Sequence, residues 1–277
     1  MALSIEPKGW KPSPAQRGSG PGSAAVVTRV LSGPKPLVGA CVVFADGYPS
    51  ERDGATGAAV SFPPECVLAA LEPAADAAHR DLVWIGGPSG CGKSTVMRNF
   101  AERYRAMWPD RTIMLVTKLD EDDPSLPTKT KPLNIQRVRL ASLVDTPMTT
   151  EELTECLVLL DDVEGLPKDQ EAAVQELADR IANRGRHWVT SMVYSSHLLT
   201  NYKTTRNLLG ECHYYVVYPS FTSAMQLNRL LGAYAGMDKH EIDAVRALRS
   251  RWVAVRRTFP GLVTYASGCY LMHGGRS

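Results

Sequence analysis

A glycine-rich loop that carries one lysine and neighbouring hydroxyl groups is the strongest chemical pattern in this sequence of 277 residues. It fits the phosphate-loop pattern GxxxxGK[ST], and its members in chain order are Gly87, Pro88, Ser89, Gly90, Cys91, Gly92, Lys93, Ser94 and Thr95. The backbone amides of such a loop and the N-terminus of the following helix bind a polyphosphate. Lys93 is expected to reach the β- and γ-phosphates, and the Ser94 hydroxyl is expected to hold Mg²⁺. The sequence therefore predicts a site for ATP with Mg²⁺.

Two adjacent acids end the apolar run at residues 156–160 (CLVLL). An acid at the carboxyl end of a strand beside the phosphate-loop strand projects into the crevice where the metal of the nucleotide lies. Asp161 is the predicted Mg²⁺ residue, acting through water. Asp162 is predicted to orient or deprotonate the attacking water, with Glu164 as the reserve candidate. Paired acids after a strand can also simply begin a loop, but the phosphate loop upstream favours the chemical interpretation.

Further along the chain, two polar residues and one arginine are candidate partners of the γ-phosphate. A fourth core strand is predicted over 187–194, and Ser196 and His197 follow it as candidate sensors of that phosphate. Because serine is a favoured N-cap, these residues could instead cap the next helix. Arg206 is a candidate arginine finger that reaches the phosphate of its own or of a neighbouring subunit. The alternative for Arg206 is a salt-bridged arginine on the surface.

Alternating apolar runs and helix-like stretches must position these residues. Residues 82–85 (LVWI) predict the strand before the loop, 93–104 a helix, and 112–116 the next strand. A strand, a crossover helix and a second strand give parallel neighbours. The run 135–140 alternates basic and apolar residues, as a half-buried edge strand does. Over 167–185, a proline predicts the start of a helix and a glycine its end.

Composition divides the chain into three parts. Residues 1–36 are dense in Pro, Gly and Ser and hold five basic residues against one acid, so they are predicted to be a disordered basic leader. Residues 37–80 are predicted to be an N-terminal extension, to which the sequence assigns no role. Residues 81–277 are predicted to form one α/β P-loop ATPase domain with a mainly parallel central sheet.

Cysteine spacing and hydropathy exclude several classes of protein. The six cysteines form no CxxC pair, which argues against a zinc site and a disulfide framework and indicates reduced intracellular thiols. No apolar run approaches the roughly 20 residues that cross a bilayer, and the N-terminus has no hydrophobic signal core. We therefore expect a protein that is neither secreted nor bound to a membrane.

Basic residues cluster in two stretches, although the formal net charge is only +2 at pH 7. The first stretch has no acid and contains Lys129, Lys131, Arg137 and Arg139. It forms either a solvated edge or a DNA contact. After Asp243 no acid follows, and the chain accumulates Arg246, Arg249, Arg251, Arg256, Arg257 and Arg276. This C-terminal stretch is the predicted DNA-facing surface.

Two other classes of nucleotide-binding protein fit the sequence less well. Residues 162–165 match the DxxG pattern of GTPases, and residues 117–120 resemble the guanine-reading pattern [NT]KxD. In G domains the base-reading motif follows DxxG, whereas here it precedes it, so we interpret both matches as coincidence. A small-molecule kinase would carry an arginine-rich lid, which is not evident.

The phosphate loop and the acid pair, together with residues 195–219 and 250–272, resemble the poxvirus-type genome-packaging ATPases of large DNA viruses, virophages and related elements, in the FtsK/HerA superfamily. The resemblance implies a three-layer P-loop core of the additional-strand, RecA/FtsK-like type. It also implies assembly into a ring and ATP-driven movement of double-stranded DNA into a preformed capsid. By motif position it supports the roles given to Lys93, Ser94, Asp161 and Asp162. Many relatives in the wider superfamily have Glu at the position of Asp162. The shorter side chain of Asp could change the position of the catalytic water or shift that role to another residue.

The sequence thus predicts an ATP-driven translocase of double-stranded DNA that packages a viral genome. Its expected partners are duplex DNA bound without sequence preference, further copies of itself in a ring, and capsid or packaging-vertex proteins. Its expected location is the host cytoplasm or a viral factory, with possible association with the virion. Two alternatives stay open: a DNA pump of the same superfamily for segregation or conjugation, and an interaction protein that binds ATP without hydrolysing it.

Overall fold

A computed structural model gives the fold of the chain. It describes residues 25–30, 41–45, 60–61, 73, 77–119, 126, 133–200, 205–258, 262–265 and 268–271. Of the basic residues singled out above, Lys129, Lys131 and Arg276 lie outside the described residues, as does most of the leader.

The described strands form a two-stranded sheet and a ten-stranded sheet. In chain order the strands are β1 (Ala25–Val30), β2 (Cys41–Ala45), β3 (Val60–Ser61), β4 (Leu82–Gly86), β5 (Thr112–Thr117), β6 (Gln136–Val138), β7 (Cys156–Asp161), β8 (Ser191–Ser196), β9 (Tyr214–Val217), β10 (Val253–Arg256), β11 (Leu262–Tyr265) and β12 (Gly268–Leu271). Strands β1 and β2 pair with each other in antiparallel orientation. The composition of the leader does not predict β1, and the division of the chain at residues 36 and 80 stays a prediction.

The large sheet is parallel at its centre and antiparallel at one side. Its order is β3-β12-β11-β10-β9-β4-β8-β7-β5-β6. The six strands from β9 to β6 run parallel, whereas β10, β11, β12 and β3 join by antiparallel pairing. Strand β6 pairs with β5 at the edge of the sheet, as its alternation of basic and apolar residues predicts. The mainly parallel α/β sheet expected from the sequence is confirmed.

One neighbour relation in the sheet differs from the prediction. The acid-bearing strand β7 was expected beside the phosphate-loop strand β4, but β8 lies between them and pairs with both. The five core strands β4, β5, β7, β8 and β9 therefore follow the order 5-1-4-3-2. This inserted strand is the feature that the additional-strand class implies. The end of β8 consequently lies between the loop and the acids.

Helices cover both faces of the sheet. They are α1 (Lys93–Met107), α2 (Leu140–Asp145), α3 (Thr150–Leu153), α4 (Lys168–Trp188), α5 (Arg206–Glu211), α6 (Ala224–Leu227), a π-helical turn (Asn228–Gly232) and α7 (Lys239–Ala247). Because side chains alternate along a strand, Val83 and Ile85 of β4 pack towards α1, while Leu82 and Trp84 pack in the core that contains α4, α5 and α7. The result is the predicted three-layer arrangement. In the part of the chain that the structure describes, no helix is both long and apolar enough to cross a membrane.

Helix α4 is longer than the sequence predicts. The expected end at Gly185 and the expected strand start at His187 are both wrong, because the helix continues to Trp188 and β8 begins at Ser191. Gly185 is buried inside the helix, where an added Cβ would lie 2.7 Å from Arg80 Nη1. The Arg80 guanidinium donates to the carbonyls of Ile181 and Ala182. The glycine thus makes room for an arginine rather than ending the helix.

Helix α7 provides a test of the segment that leads into β10. Asp238 Oδ1 accepts from the Glu241 backbone N–H at 2.8 Å, and Glu241 Oε2 accepts from the Asp238 N–H at 2.9 Å, which forms a capping box. We expect Asp238→Ala to lower the free energy of unfolding by about 1 kcal/mol, measured by urea denaturation. The matched control is Asp243→Ala in the same helix, which removes an exposed pair with Arg246 and should cost less than about 0.5 kcal/mol. Equal losses in the two variants would contradict a stabilising cap.

Candidate active site

A cleft of about 380 Å³ opens at the carboxyl ends of the parallel strands. Its lining residues come from the phosphate loop, from the ends of β5, β7 and β8, and from the segment before β10: Ser89, Gly90, Gly92, Lys93, Ser94, Thr95, Leu119, Asp161, Asp162, His197 and Arg251. The cleft therefore lies where parallel α/β sheets bind their ligands.

The phosphate loop owes its shape to two glycines in left-handed conformation. Gly90 has φ 75° and Gly92 has φ 110°, values that residues with a side chain rarely adopt. This backbone ends directly at α1, so the N-terminus of the helix faces the cleft. The Lys93 side chain is largely buried, and its Nζ donates to the carbonyls of Gly87 at 2.9 Å and Pro88 at 3.1 Å. The loop thus carries a lysine charge beside a row of backbone amides.

Asp161 joins three elements of the fold at the base of the cleft. It is 4% exposed, its Oδ2 accepts from Ser94 Oγ at 3.0 Å, and its Oδ1 accepts from Ser195 Oγ at 2.5 Å. Leu159 of β7 and Val193 of β8 belong to the core on the α1 side of the sheet. Because side chains alternate between the two faces along a strand, Asp161 and Ser195, two residues further on, face the same side. Hydroxyl and carboxylate oxygens are the ligand types that Mg²⁺ prefers. The donor set of Ser94 and Asp161 therefore fits this ion.

Asp162 lies beside two cationic or hydrogen-donating side chains. Its Oδ1 is 2.8 Å from His197 Nε2 and 3.1 Å from Lys118 Nζ, and its backbone is left-handed, with φ 53°. The Asp162 N–H also donates to Ser195 Oγ at 3.3 Å. Burial raises the pKa of Asp162, but the hydrogen bonds from His197 and then Lys118 outweigh burial and hold that pKa below its ordinary value. Asp162 is therefore an ionised carboxylate with a fixed orientation.

His197 connects the phosphate-loop lysine to this carboxylate. Its Nδ1 is 3.4 Å from Lys93 Nζ, and its Nε2 is 2.8 Å from Asp162 Oδ1. A lysine ammonium can only donate, so Nδ1 accepts and Nε2 carries the proton that Asp162 receives as a hydrogen bond. The His197 backbone N–H donates to Glu164 Oε1 at 2.9 Å, which fixes the turn that presents the ring.

Some of the predicted site residues lie outside the cleft. Glu164 does not line the cleft; its Oε1 accepts from the His197 backbone N–H, and its Oε2 is 3.8 Å from His197 Nε2. Ser196 Oγ donates to Leu198 O at 2.7 Å and so lies within its own turn. The alternative in which Ser196 and His197 cap the next helix is wrong, because α5 begins at Arg206. Arg206 is exposed on α5 and does not line the cleft of its own chain.

Three residues at the site were not predicted to act there. Ser195 follows Val193 on the α1 side of β8, so the period of two along that strand was the available signal. Lys118 belongs to the pattern at 117–120 that we had interpreted as coincidence. Arg251 was counted among the DNA-facing arginines, but the structure places it against the phosphate loop. The sequence carries no signal for the contact of Arg251, because Arg251 is 160 residues after Cys91 and 161 residues after Gly90.

Comparison with known proteins gives matches of several kinds. The family described as AAA domain matches residues 79–224, just over half of the chain. The uncharacterized protein V3 of Sputnik virophage is 26% identical over 195 residues, which cover 69% of this chain and 76% of that protein.

Among solved structures, the genome packaging NTPase B204 from Sulfolobus turreted icosahedral virus 2, in complex with AMP, has a TM-score of 0.42 and 12% identity, covering 64% of this chain and 93% of B204. The cytoplasmic domain of the Thermomonospora curvata Type VII secretion ATPase EccC has a TM-score of 0.46 and 15% identity, covering 68% of this chain and 25% of that one. At these scores neither structure bears on the function.

The pKa of Asp162 provides a direct test of its surroundings. Lys118→Ala removes one of the two hydrogen bonds that lower this pKa. We expect the pKa of Asp162 to rise, because the effect of burial, which raises it, is then less fully offset. The measurement is a pH titration of the Asp162 carboxyl carbon by NMR. The matched control is Lys168→Ala, an exposed lysine at the start of α4. A Lys118→Ala protein that keeps the original pKa would show that the ion pair is not formed in solution.

Proposed function

We propose that this chain, which belongs to the AAA domain family, is an ATP-hydrolysing motor that moves double-stranded DNA into a viral capsid. One observation carries the catalytic part of the proposal: Lys93, Ser94, Asp161, Asp162 and His197 meet in one cleft. A phosphate loop, a metal-binding pair and a carboxylate for the attacking water are the parts that phosphoryl transfer to water requires.

Binding of the triphosphate would use groups that already face the cleft. Lys93 Nζ, which donates to the carbonyls of Gly87 and Pro88, would donate to phosphate oxygens instead. Ser94 and Asp161 would hold Mg²⁺, which would neutralise charge on the phosphates. Asp161 would do so through water, because its two oxygens already accept from Ser94 and Ser195.

Asp162 is the proposed partner of the attacking water. Its contacts with His197 and Lys118 both fall on Oδ1, which leaves Oδ2 to accept a hydrogen bond from that water. The oxygen of the water forms a bond to the γ-phosphorus, and the bond from that phosphorus to the bridging oxygen breaks. The proton that the water loses passes to the phosphate, so that ADP and protonated phosphate leave. A carboxylate of lowered pKa is a weak base, so its main contribution is orientation, which suits a loose transition state.

Two further residues have proposed roles at a distance from the reaction. Glu164 accepts from the His197 backbone and would position the His197 ring rather than act as the base. Arg206 is exposed and lies away from the cleft of its own chain, so as an arginine finger it would act on a neighbouring subunit. That role requires the proposed ring.

The DNA-related part of the proposal rests on the sequence resemblance and on the C-terminal arginines. Arg246 pairs with Asp243, Arg251 contacts the phosphate loop and Arg256 donates to Thr258, so the remaining described candidates for phosphate contacts are the exposed Arg249 and Arg257. Contacts with phosphates hold a duplex without reading its sequence. The motor would act inside the infected cell, with capsid or packaging-vertex proteins as partners.

Two substitutions separate nucleotide binding from hydrolysis. We expect Lys93→Ala to abolish ATP binding, because it removes the charge that reaches the phosphates. Asp162→Asn should keep ATP bound and lower the hydrolysis rate by about 10²-fold, since an amide nitrogen replaces Oδ2 and the attacking water loses the acceptor that orients it. Calorimetry with a non-hydrolysable analogue and a phosphate-release assay measure the two effects, with Lys168→Ala as control. Normal turnover in Asp162→Asn would place the catalytic role elsewhere.

The response to DNA tests the motor. Steady-state hydrolysis should increase when long duplex DNA is added at roughly 50 mM salt, and most of the increase should be lost at roughly 200 mM, because phosphate contacts release counterions. The double variant Arg249→Ala, Arg257→Ala should show a smaller increase. Binding of ATP without any hydrolysis would favour the interaction protein, and hydrolysis that ignores DNA would count against a DNA motor of any kind.

A further inference from the structure

Arg251 lines the cleft and donates two hydrogen bonds to successive carbonyls of the phosphate loop. Its Nε donates to the Cys91 carbonyl at 2.9 Å, and its Nη2 donates to the Gly90 carbonyl, also at 2.9 Å. A guanidinium presents its donors in a fixed planar fork, so one side chain satisfies two successive carbonyls. Hydrogen bonds from a charged donor are roughly twice as strong as neutral ones. The loop apex is therefore tied to a residue from the far end of the chain.

Peptide geometry gives this contact a consequence for the cleft. In a planar trans peptide the C=O and the N–H point in opposite directions. Carbonyls of Gly90 and Cys91 that face Arg251 therefore direct the amides of Cys91 and Gly92 away from it. The Cys91 N–H closes the turn onto the Pro88 carbonyl at 3.4 Å, and the Gly92 N–H is the last amide before α1. The Cys91 N–H is thus used within the loop, and the Gly92 N–H is the amide of this pair that contributes to an anion-binding concavity of the phosphate-loop type.

The backbone that carries Arg251 is firmly held. Ser250 is buried, and its Oγ donates to the Trp252 carbonyl at 2.6 Å. Trp252 packs against the core on the α1 side, and Val253 begins β10 with no exposed surface. A Cβ built on Gly92 would lie 3.9 Å from both Arg251 Nε and the Tyr218 ring. The loop apex thus lies against Arg251 and Tyr218, each at the end of a sheet strand.

We infer that Arg251 is a positioning residue of the nucleotide site: it holds the apex of the phosphate loop in the conformation that binds the β-phosphate. This inference rests on the proposed nucleotide-binding function and adds to it a control by the C-terminal antiparallel strands. Arg251 acts on the ligand through the loop amides. Its loss should therefore weaken the binding of a nucleotide only if that nucleotide has a phosphate bound by the loop. ADP and ATP depend on the loop, whereas AMP has no β-phosphate to place there.

The test compares three nucleotides on the full chain with Mg²⁺ present. Calorimetric dissociation constants are measured for AMP, for ADP and for a non-hydrolysable ATP analogue. Arg251→Ala should raise the dissociation constants of ADP and of the ATP analogue by a similar factor of about ten, because the loss of the two hydrogen bonds corresponds to about a tenfold change in affinity. The dissociation constant of AMP should stay nearly unchanged. Arg251→Lys should recover part of the loss. The matched control is Arg98→Ala on α1, a partly exposed arginine that pairs with Glu102.

Each other pattern overturns the inference in a recognisable way. An equal loss for AMP would mean that Arg251 contacts the nucleoside or the α-phosphate directly. A loss confined to the ATP analogue would mean a contact with the γ-phosphate, and no loss at all would mean that Arg251 has no part in binding. If the unaltered chain binds none of the three nucleotides, the proposed function itself fails, whereas normal binding by the unaltered chain confines the failure to Arg251. Melting temperatures without nucleotide show whether each variant is folded.

Discussion

The site depends on a buried carboxylate that two hydroxyl groups satisfy. Asp161 lies at the end of β7, Ser195 at the end of β8 and Ser94 in the first turn of α1, and hydrogen bonds join all three. A buried carboxylate without hydrogen-bond donors would be strongly destabilising. The need to keep both hydroxyl groups within hydrogen-bonding distance of Asp161 therefore fixes the ends of β7 and β8 relative to the start of α1. The inserted strand β8 makes this possible, because it brings a serine between the loop and the acid.

A second constraint sets the chemistry of the neighbouring acid. His197 and Lys118 both approach the same oxygen of Asp162, and together they favour its charged form more than burial disfavours it. A carboxylate in this environment keeps its charge and its direction but accepts a proton poorly. It is therefore suited to orienting water for a transition state in which bond breaking to the leaving group is far advanced. Asp162 directly follows the last residue of β7, and its backbone is left-handed, with φ 53°.

Local chemistry made part of this site predictable. The loop from Gly87 to Thr95, the start of α1 and the two acids after an apolar run each occupy a few consecutive residues, so their spacing indicates their structure. Ser195 was harder to predict, since its role depends on which strand lies next to β7, and sequence order does not state that. Arg251 could not be predicted, because in the sequence it belongs to a run of arginines that suggests a solvated or DNA-facing surface. Gly185 was misinterpreted for a related reason: its small size accommodates Arg80, a contact between distant residues.

The arginine-rich segment and the nucleotide site belong to neighbouring strands of one sheet. Strand β9 pairs with β4, which leads into the phosphate loop, and β10 pairs with β9 on its other side. Arg251 precedes β10, and its partners Gly90 and Cys91 follow β4. Strand β9 lies between these two strands and pairs with both. Under the proposed function, a duplex held by Arg249 would pull on the segment that shapes the loop, because Arg249 is only two residues before Arg251. Communication between polymer and nucleotide would then need no hinge inside the domain, because a shift of the strand end by a fraction of a hydrogen-bond length would already change how the loop amides meet a phosphate.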